Sequence, residues 1–316
     1  GRALGQKIMK ALISGSMAYD RIMDFPGHFS DHILPEKIHV LNVSFTVNGM
    51  EENYGGTAGN IAYAFSLLGE TPLILATIGH DYHRYFEWLA KNSISCDGIK
   101  IIEDEATASA YITTDQADNQ ITGFNPGAMR YPSSFNFDNI GPKECIAIVS
   151  PGNLDDMMAY SRAYKDMGID YIFDPGQSLP MWKEDNLSQC IDGSRILVSN
   201  DYELELIMRH TGWDKKKLLE RTGTIVTTLG EMGSRVSTLD GDLSISAVKP
   251  EQVADPTGAG DAYRAGLIAG LVRGQDIEKC AIMGSVCASF AIECYGTQAY
   301  HFSPEEYKER LGPHLK

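Results

Sequence analysis

Asp255-Pro256-Thr257-Gly258-Ala259-Gly260-Asp261 runs directly into an amphipathic stretch with Ala262, Ala265, Gly266, Ile268 and Ala269 on its apolar face. Pro256 marks a turn, and the small residues let a ligand approach the backbone. The first turn of the following helix aims unpaired N–H groups and the positive end of the helix dipole at an anion. Asp261 stands beside that anion hole. A carboxylate there can take the proton of an attacking hydroxyl while the amides of Gly258, Ala259 and Gly260 stabilise negative charge on a transferring phosphoryl group. The pattern G-x-G before a helix is also a common tight turn, so the run alone fits both readings. Two other phosphate devices are excluded. The chain contains no G-x-x-x-x-G-K-[ST], and Tyr263 stands where a dinucleotide fingerprint requires its third glycine.

The remainder of the chain supplies a scaffold for that junction. Lys10 to Ser14 reads as a short buried strand, Thr57 to Leu68 as a helix stopped by Gly69, and Leu73 to Ile78 as a second buried strand. A helix over Tyr82 to Asn92 follows. From Ile146 onward strands and helices alternate: strand to Ser150, helix Met157 to Met167, strand Tyr171 to Phe173, strand Arg195 to Ser199, helix Tyr202 to Thr211, strand Thr224 to Thr228. The last helices are read from Gly258 to Leu271 and from Ile277 to Cys294. This alternation predicts an α/β fold with a mostly parallel central sheet flanked by helices on both faces. Two β-rich stretches interrupt the first half. One runs over about 18–54 and includes Val40 to Val47; the other, about 106–127, pairs Ala108 to Thr114 with Gln120 to Phe124. Together they are expected to form a small β-sheet lid on a single domain spanning 8–316, because open α/β sheets bind ligands at the carboxyl edge and phosphoryl transfer must exclude water. Residues 1–7 carry no pattern and read as a tail or an added remnant.

Composition sets limits on partners. Among 316 residues, 42 acidic side chains oppose 27 basic ones, a formal charge of −15 that repels nucleic acid. Any phosphate must therefore be held by local devices. Six cysteines without a C-x-x-C pair fit reduced thiols, and Cys280, Cys287 and Cys294, seven residues apart, read as small packing residues on one helix face. No apolar run approaches the roughly 18 residues of a membrane span, and no secretory signal is visible, so a cytoplasmic protein without membrane contact is expected.

D-P-T-G-A-G-D-A-Y followed by an Ala/Gly-rich helix resembles the signature of the ribokinase-like (PfkB) kinases. Gly55-Gly56 with Asn60, Asn200-Asp201-Tyr202-Glu203, and Thr227-Thr228-Leu229-Gly230 before Gly233 resemble further segments of that family, in its order and across nearly the whole chain. Within it, Gly15 to Asp20, Phe25-Pro26-Gly27, Leu34-Pro35-Glu36, Ser44-Phe45, Phe124 to Met129 and Tyr295-Gly296-Thr297-Gln298 look like the bacterial adenosine kinase branch found in mycobacteria. The resemblance implies an ATP- and Mg²⁺-dependent kinase acting on the 5′-hydroxyl of adenosine, with Asp261 as base. A kinase for a free sugar or another nucleoside, and a ligand-binding homologue without turnover, are the alternatives.

The same resemblance distributes roles. Asp20 and Asn60 would grip ribose hydroxyls, Gly56 would let the sugar approach the backbone, and Ser16, Ser44 and Gln177 would help seat the nucleoside. Phe45, Tyr111 and Phe124 either pack on the purine or belong to the core. Asn200 and Glu203, three residues apart, would orient Mg²⁺ waters; the residues alone equally fit a helix-capping box. Thr228, Gly230 and Gly233, with Gly258 and Gly260, would bind ATP, and Asp255 and Thr257 resemble residues around a monovalent cation such as K⁺. Arg264 can meet a phosphate or pair with an acid, and Asp174-Pro175 can position substrate or simply turn the chain. Relatives that pair through their lids imply a homodimer.

Overall fold

The computed structural model describes residues 9–33, 43–117 and 119–315. In chain order the strands are β1 (Lys10–Ser14), β2 (Ala18–Asp24), β3 (Met50–Gly55), β4 (Pro72–Gly79), β5 (Ile99–Ile102), β6 (Ala108–Thr114), β7 (Gln120–Asn125), β8 (Cys145–Val149), β9 (Tyr171–Phe173), β10 (Ile196–Asn200), β11 (Thr224–Thr228), β12 (Ser234–Thr238) and β13 (Gly241–Ile245). The helices are α1 (Thr57–Leu67), α2 (His83–Lys91), α3 (Leu154–Met167), α4 (Glu184–Ile191), α5 (Asp201–Thr211), α6 (Lys215–Thr222), α7 (Ala259–Val272), α8 (Ile277–Ala291) and α9 (Pro304–Leu311). Nine strands form one sheet in the order β13-β12-β11-β10-β9-β8-β1-β4-β5. From β5 across to β11 every pairing is parallel; β12 and β13 close the far edge antiparallel.

Strands buried on both faces explain the near-continuous apolar runs that the sequence shows. Ala11 and Ile13 of β1, with Ile146 and Ile148 of β8, pack into the core shared with α1, α7 and α8. Leu12, Ala147 and Val149 point the other way, onto Met157, Tyr160 and Tyr164 of α3, Leu187 of α4, Ile207 of α5 and Leu218 of α6. On the first face α7 and α8 approach closely because their contact is built from glycine. A Cβ on Gly266 would lie 2.4 Å from the Met283 carbonyl oxygen, and one on Gly270 would lie 2.7 Å from Cys280 Sγ. Cys280 and Cys287 are buried there, and burial pushes both thiols up to about 12, which keeps them neutral packing groups.

A second sheet, β3-β2-β6-β7, is formed by the two β-rich stretches. Sequence reading recognised β6 and β7 but not β2 or β3, whose residues AYDRIMD and MEENYG lack a strand's apolar alternation. They become strands through partners far along the chain: β2 pairs antiparallel with β3 and parallel with β6. Two expectations need correction. Residues 43–47 are not a strand, while Val40 to Asn42 and the segment Leu34-Pro35-Glu36 lie outside the described residues. Helix α8 stops at Ala291, short of Cys294, because the Ile292 carbonyl accepts the N–H groups of Ala254 (2.8 Å) and Asp255 (3.2 Å) instead of a next helical turn.

The sheet places one crevice. From β1 the chain goes out to β4 and β5, then returns to β8 on the other side of β1, so the strand order reverses between β1 and β8. Ligands of open α/β sheets bind outside the carboxyl ends of the strands at such a reversal.

Candidate active site

Two helices begin at that crevice. Gly56 precedes α1 with φ of 88°, and a Cβ there would lie 2.6 Å from the Ser16 carbonyl oxygen and 2.7 Å from Ala18 N. Gly258 precedes α7 with φ of 82°. Both positions need glycine because the backbone is left-handed there, and at Gly56 the neighbouring chain also leaves no room. Ser16 Oγ accepts the Thr57 N–H (3.0 Å), while Thr57 Oγ1 donates to the Pro151 carbonyl (2.7 Å) and accepts from Ser16 N (3.1 Å). Thr57 thereby ties the ends of β1 and β8 to the start of α1. Ser16, expected to seat substrate, also caps this helix.

At the start of α7 the amides differ from the simplest expectation. The Ala259 N–H donates to the Pro256 carbonyl at 3.2 Å, closing the turn. Among the described residues, the N–H groups of Gly258, Gly260 and Asp261 have no such partner, which leaves these three available to an anion. Asp261 Oδ2 accepts a 2.8 Å hydrogen bond from Asn60 Nδ2, which stands on the first turn of α1. Burial pushes the Asp261 carboxyl up to about 6, against the lowering effect of Arg264 and the Asn60 bond and with help from Asp174 and Asp20. A carboxylate tuned this way suits proton transfer near neutral pH.

Arg264, one turn along α7, is buried and pairs through Nε with Asp174 Oδ2 at the end of β9. Its guanidinium also lies against the backbone of α7, where a Cβ on Gly260 would meet Nη1 at 2.8 Å. Asp174 Oδ1 is buried without a hydrogen-bond partner among the described residues, and Asp174 borders a cleft of about 470 Å³. The cleft is lined by Thr57, Gln177, Asn200, Glu203, Thr228, Gly230, Gly258, Gly260, Asp261 and Arg264 among others, bringing together the expected base, anion hole and most of the expected ATP contacts. An orphaned carboxylate oxygen in such a cleft is an acceptor that a hydrated cation or bound ligand can satisfy.

Asn200 and Glu203 make the capping box in full: Asn200 Oδ1 accepts from Glu203 N (2.7 Å) and Glu203 Oε2 accepts from Asn200 N (2.8 Å). They also line the cleft, so both readings of this pair coexist. Burial raises the Glu203 carboxyl above its ordinary value, with Asp174 adding to the shift. Gly233, with φ of 91°, is needed for packing, since a Cβ would lie 2.0 Å from the Ile245 carbonyl oxygen, and it is not among the residues that line the cleft. Asp255 accepts backbone N–H groups from Thr257 (2.9 Å) and Gly296 (3.3 Å), which makes it the brace of the turn. Thr257 is exposed beside it.

The small sheet separates the three candidate aromatics. Its register sets Asp20 beside Ala110 and Ala110 beside Phe124, so Asp20 and Phe124 share a face, and Phe124 is 52% exposed. Tyr111 points to the opposite face, where its hydroxyl accepts from Arg21 Nη1 at 2.7 Å and the guanidinium lies 5.3 Å from its ring centre. Phe45 packs 4.6 Å from Phe25 in an aromatic cluster with Phe29, and Ser44 next to it is exposed. Of the three, Phe124 is the one that the register sets on the Asp20 side. Burial, and then Asp255, raise the Asp20 carboxyl. A larger cavity of about 670 Å³ at the far end of α7 lies remote from these groups, and its Arg273 and Glu70 pair with each other at 2.9 Å.

Sequence reasoning missed Thr57, Tyr85, Trp88 and Gln298. Gln298 is buried and bonds Asn60 from 238 positions away, a contact that no local pattern signals.

A buried carboxyl beside a helix start with free amides, at the reversal point of an open α/β sheet, fits a phosphotransferase acting on a hydroxyl group. The chain belongs to the pfkB family of carbohydrate kinases, whose model matches residues 17–304. It is similar to the nucleoside kinase of Burkholderia thailandensis, solved in complex with inosine, at 36% identity and a TM-score of 0.85 over 96% of this chain and 97% of that one. The same enzyme solved with ADP-inosine gives 37% identity and a TM-score of 0.83, covering 96% of each chain. The nucleoside kinase of Methanocaldococcus jannaschii is 31% identical over 313 residues, 98% of this chain and 99% of that one. The fold is ribokinase-like, as expected.

Proposed function

We propose that the protein is an ATP-dependent nucleoside kinase that transfers the γ-phosphoryl group to the ribose 5′-hydroxyl of a purine nucleoside, adenosine first, giving AMP and ADP. The observation that carries this reading is Asp261. It stands between the cleft lined by Asn200, Thr228 and Gly230 and the Asp20–Asn60 side of the site, while Arg264 and the free amides of α7 face the same point. The nucleoside kinases similar to this chain, one of them solved with inosine, support a nucleoside over a free sugar.

In the reaction Asp261 takes the 5′-hydroxyl proton as that oxygen attacks, and the N–H groups of Gly258, Gly260 and Asp261 receive the charge developing on the phosphoryl oxygens. Asp20 and the Asn60 amide hold the ribose hydroxyls, and Phe124 offers the exposed ring for a purine to stack on. Gln177 closes the rim. Asp174, Asn200 and Glu203 would hold the waters of Mg²⁺, which neutralises the polyphosphate when bound. A monovalent cation, K⁺, belongs at the Asp255–Thr257 turn. The small sheet acts as a lid, and its exposed β7 edge pairs two copies, which sedimentation at micromolar concentration would reveal as a dimer.

The test is a coupled ADP-release assay on adenosine, inosine, guanosine, ribose and fructose, with and without Mg²⁺ and with K⁺ exchanged for Na⁺. Purine nucleosides should turn over at least about tenfold faster than free sugars, since a site that stacks a base leaves that energy unused with ribose. Preference for a free sugar would overturn the nucleoside assignment, and retention of full activity in EDTA would remove the metal.

A further inference from the structure

Asn60 reaches Asp261 with a side-chain amide, and an amide can turn over by half a rotation, exchanging donor for acceptor. Its polarity here is fixed from outside the site. The Trp88 indole N–H can only donate, and it lies 2.8 Å from Gln298, so the Gln298 atom facing it is the carbonyl oxygen Oε1. Gln298 Nε2 therefore donates its two hydrogens to Asn60 Oδ1 at 3.0 Å and to Tyr85 Oη at 2.8 Å. Tyr85 in turn spends its proton on the Gly55 carbonyl at 2.8 Å. With its oxygen held by Gln298, Asn60 presents Nδ2 to Asp261. The anchoring indole cannot swing, because it is stacked on Tyr54 at 5.0 Å and on Tyr63 at 5.6 Å.

We propose that Gln298 is a positioning residue that locks the Asn60 amide in the orientation that only donates to Asp261. The consequence concerns what happens when Asp261 holds a proton. A freely turning amide would rotate and accept from the protonated carboxyl, stabilising it as well as it stabilises the carboxylate. A locked amide stabilises only the ionised form of Asp261, so the base releases its proton more readily after each transfer. The other groups facing Asp261 divide: Arg264, on the same helix, favours the ionised form, whereas Asp174 at the end of β9 and Asp20 on β2 oppose it. Asp255 acts on Asp20, Glu203 on Arg264, and the buried Tyr300 faces Asp261 as a neutral phenol.

This inference rests on Asp261 being the base. Its test is the pH profile of kcat for Gln298→Met, which removes the lock, and for Trp88→Phe, which keeps an aromatic ring at the stack but frees Gln298 to turn. In both, the acid limb should move to higher pH, by up to about one unit in Gln298→Met and by less in Trp88→Phe, with kcat above pH 8 close to native. A purely structural role would lower kcat at every pH. Folded variants, judged by circular dichroism and Tm, whose acid limb stays at the native position would overturn the proposal. Should Gln298→Met not fold, Trp88→Phe decides. Failure of the underlying reading looks different: the native profile would then show no acid limb, or Asp261→Asn would retain turnover.

Discussion

Asp261→Asn is expected to lose phosphoryl transfer by about 10²- to 10⁴-fold in kcat while still binding nucleoside, because the amide keeps the shape and the acceptor oxygen for Asn60 but cannot take a proton. The native enzyme should show an acid limb near pH 6, where the carboxyl titrates, and the residual activity of the variant should lack it. Stability supplies an independent reading with a definite sign. The folded carboxyl sits at about 6, above its ordinary 3.8, so between these values the folded protein binds the proton more tightly than the unfolded chain does. Native stability therefore falls as pH rises through that window, and the whole penalty is present above it. Asparagine carries no such penalty. The variant should melt higher than native at pH 7, by about 2–4 °C for each kcal/mol released, with the difference closing toward pH 4. A variant that keeps native kcat would remove Asp261 from the chemistry; one that loses activity but melts lower at pH 7 would place the fault in folding.

The start of α7 and its carboxylate were legible in the sequence because every needed signal is local: a turn residue, left-handed glycines and an amphipathic helix within one short run. The same holds for β1, β9 and β11, short apolar segments bounded by breakers and buried on both faces. Where pairing rather than composition makes the strand, as for Ala18–Asp24 and Met50–Gly55, the sequence marks a β-rich stretch but not the strands within it, since charged residues interrupt the apolar alternation; Arg21, for example, meets Glu52 at 2.9 Å across the sheet. Side-chain direction is the second gap. Tyr111 and Phe124 are equivalent as letters, yet strand register sends them to opposite faces, and only long-range pairing sets that register. The third gap is the use already made of a polar group. Ser16, Ala259 and Asp255 carry the right chemistry for a ligand, and each also has a structural use that its letter does not signal, in capping α1, closing a turn and bracing the loop before α7.

Arg264 shows how far such a gap can matter, because the sequence left it between two roles and the structure allows both. Arg264→Met is expected to destabilise the protein by about 3–5 kcal/mol, since it strands Asp174, 3% exposed at the side chain, as a buried carboxylate with neither oxygen paired. Asp261 and Glu203 would lose their nearest cation in the same step, so the base should move further above 6 and the acid limb should follow it upward. Packing and charge are separated by the double variant Asp174→Leu/Arg264→Met. Replacing both members of a buried pair with apolar side chains is often close to neutral, so most of the stability should return in urea denaturation. Activity should not return with it. Among the described residues that line the cleft, Arg264 is the one cationic side chain, on a chain whose overall charge is −15. Recovery of both stability and kcat in the double variant would reduce Arg264 to a partner for Asp174; recovery of stability alone would keep the pair in the chemistry, as the guanidinium facing the phosphate, the carboxylate proposed to hold Mg²⁺ waters, or both.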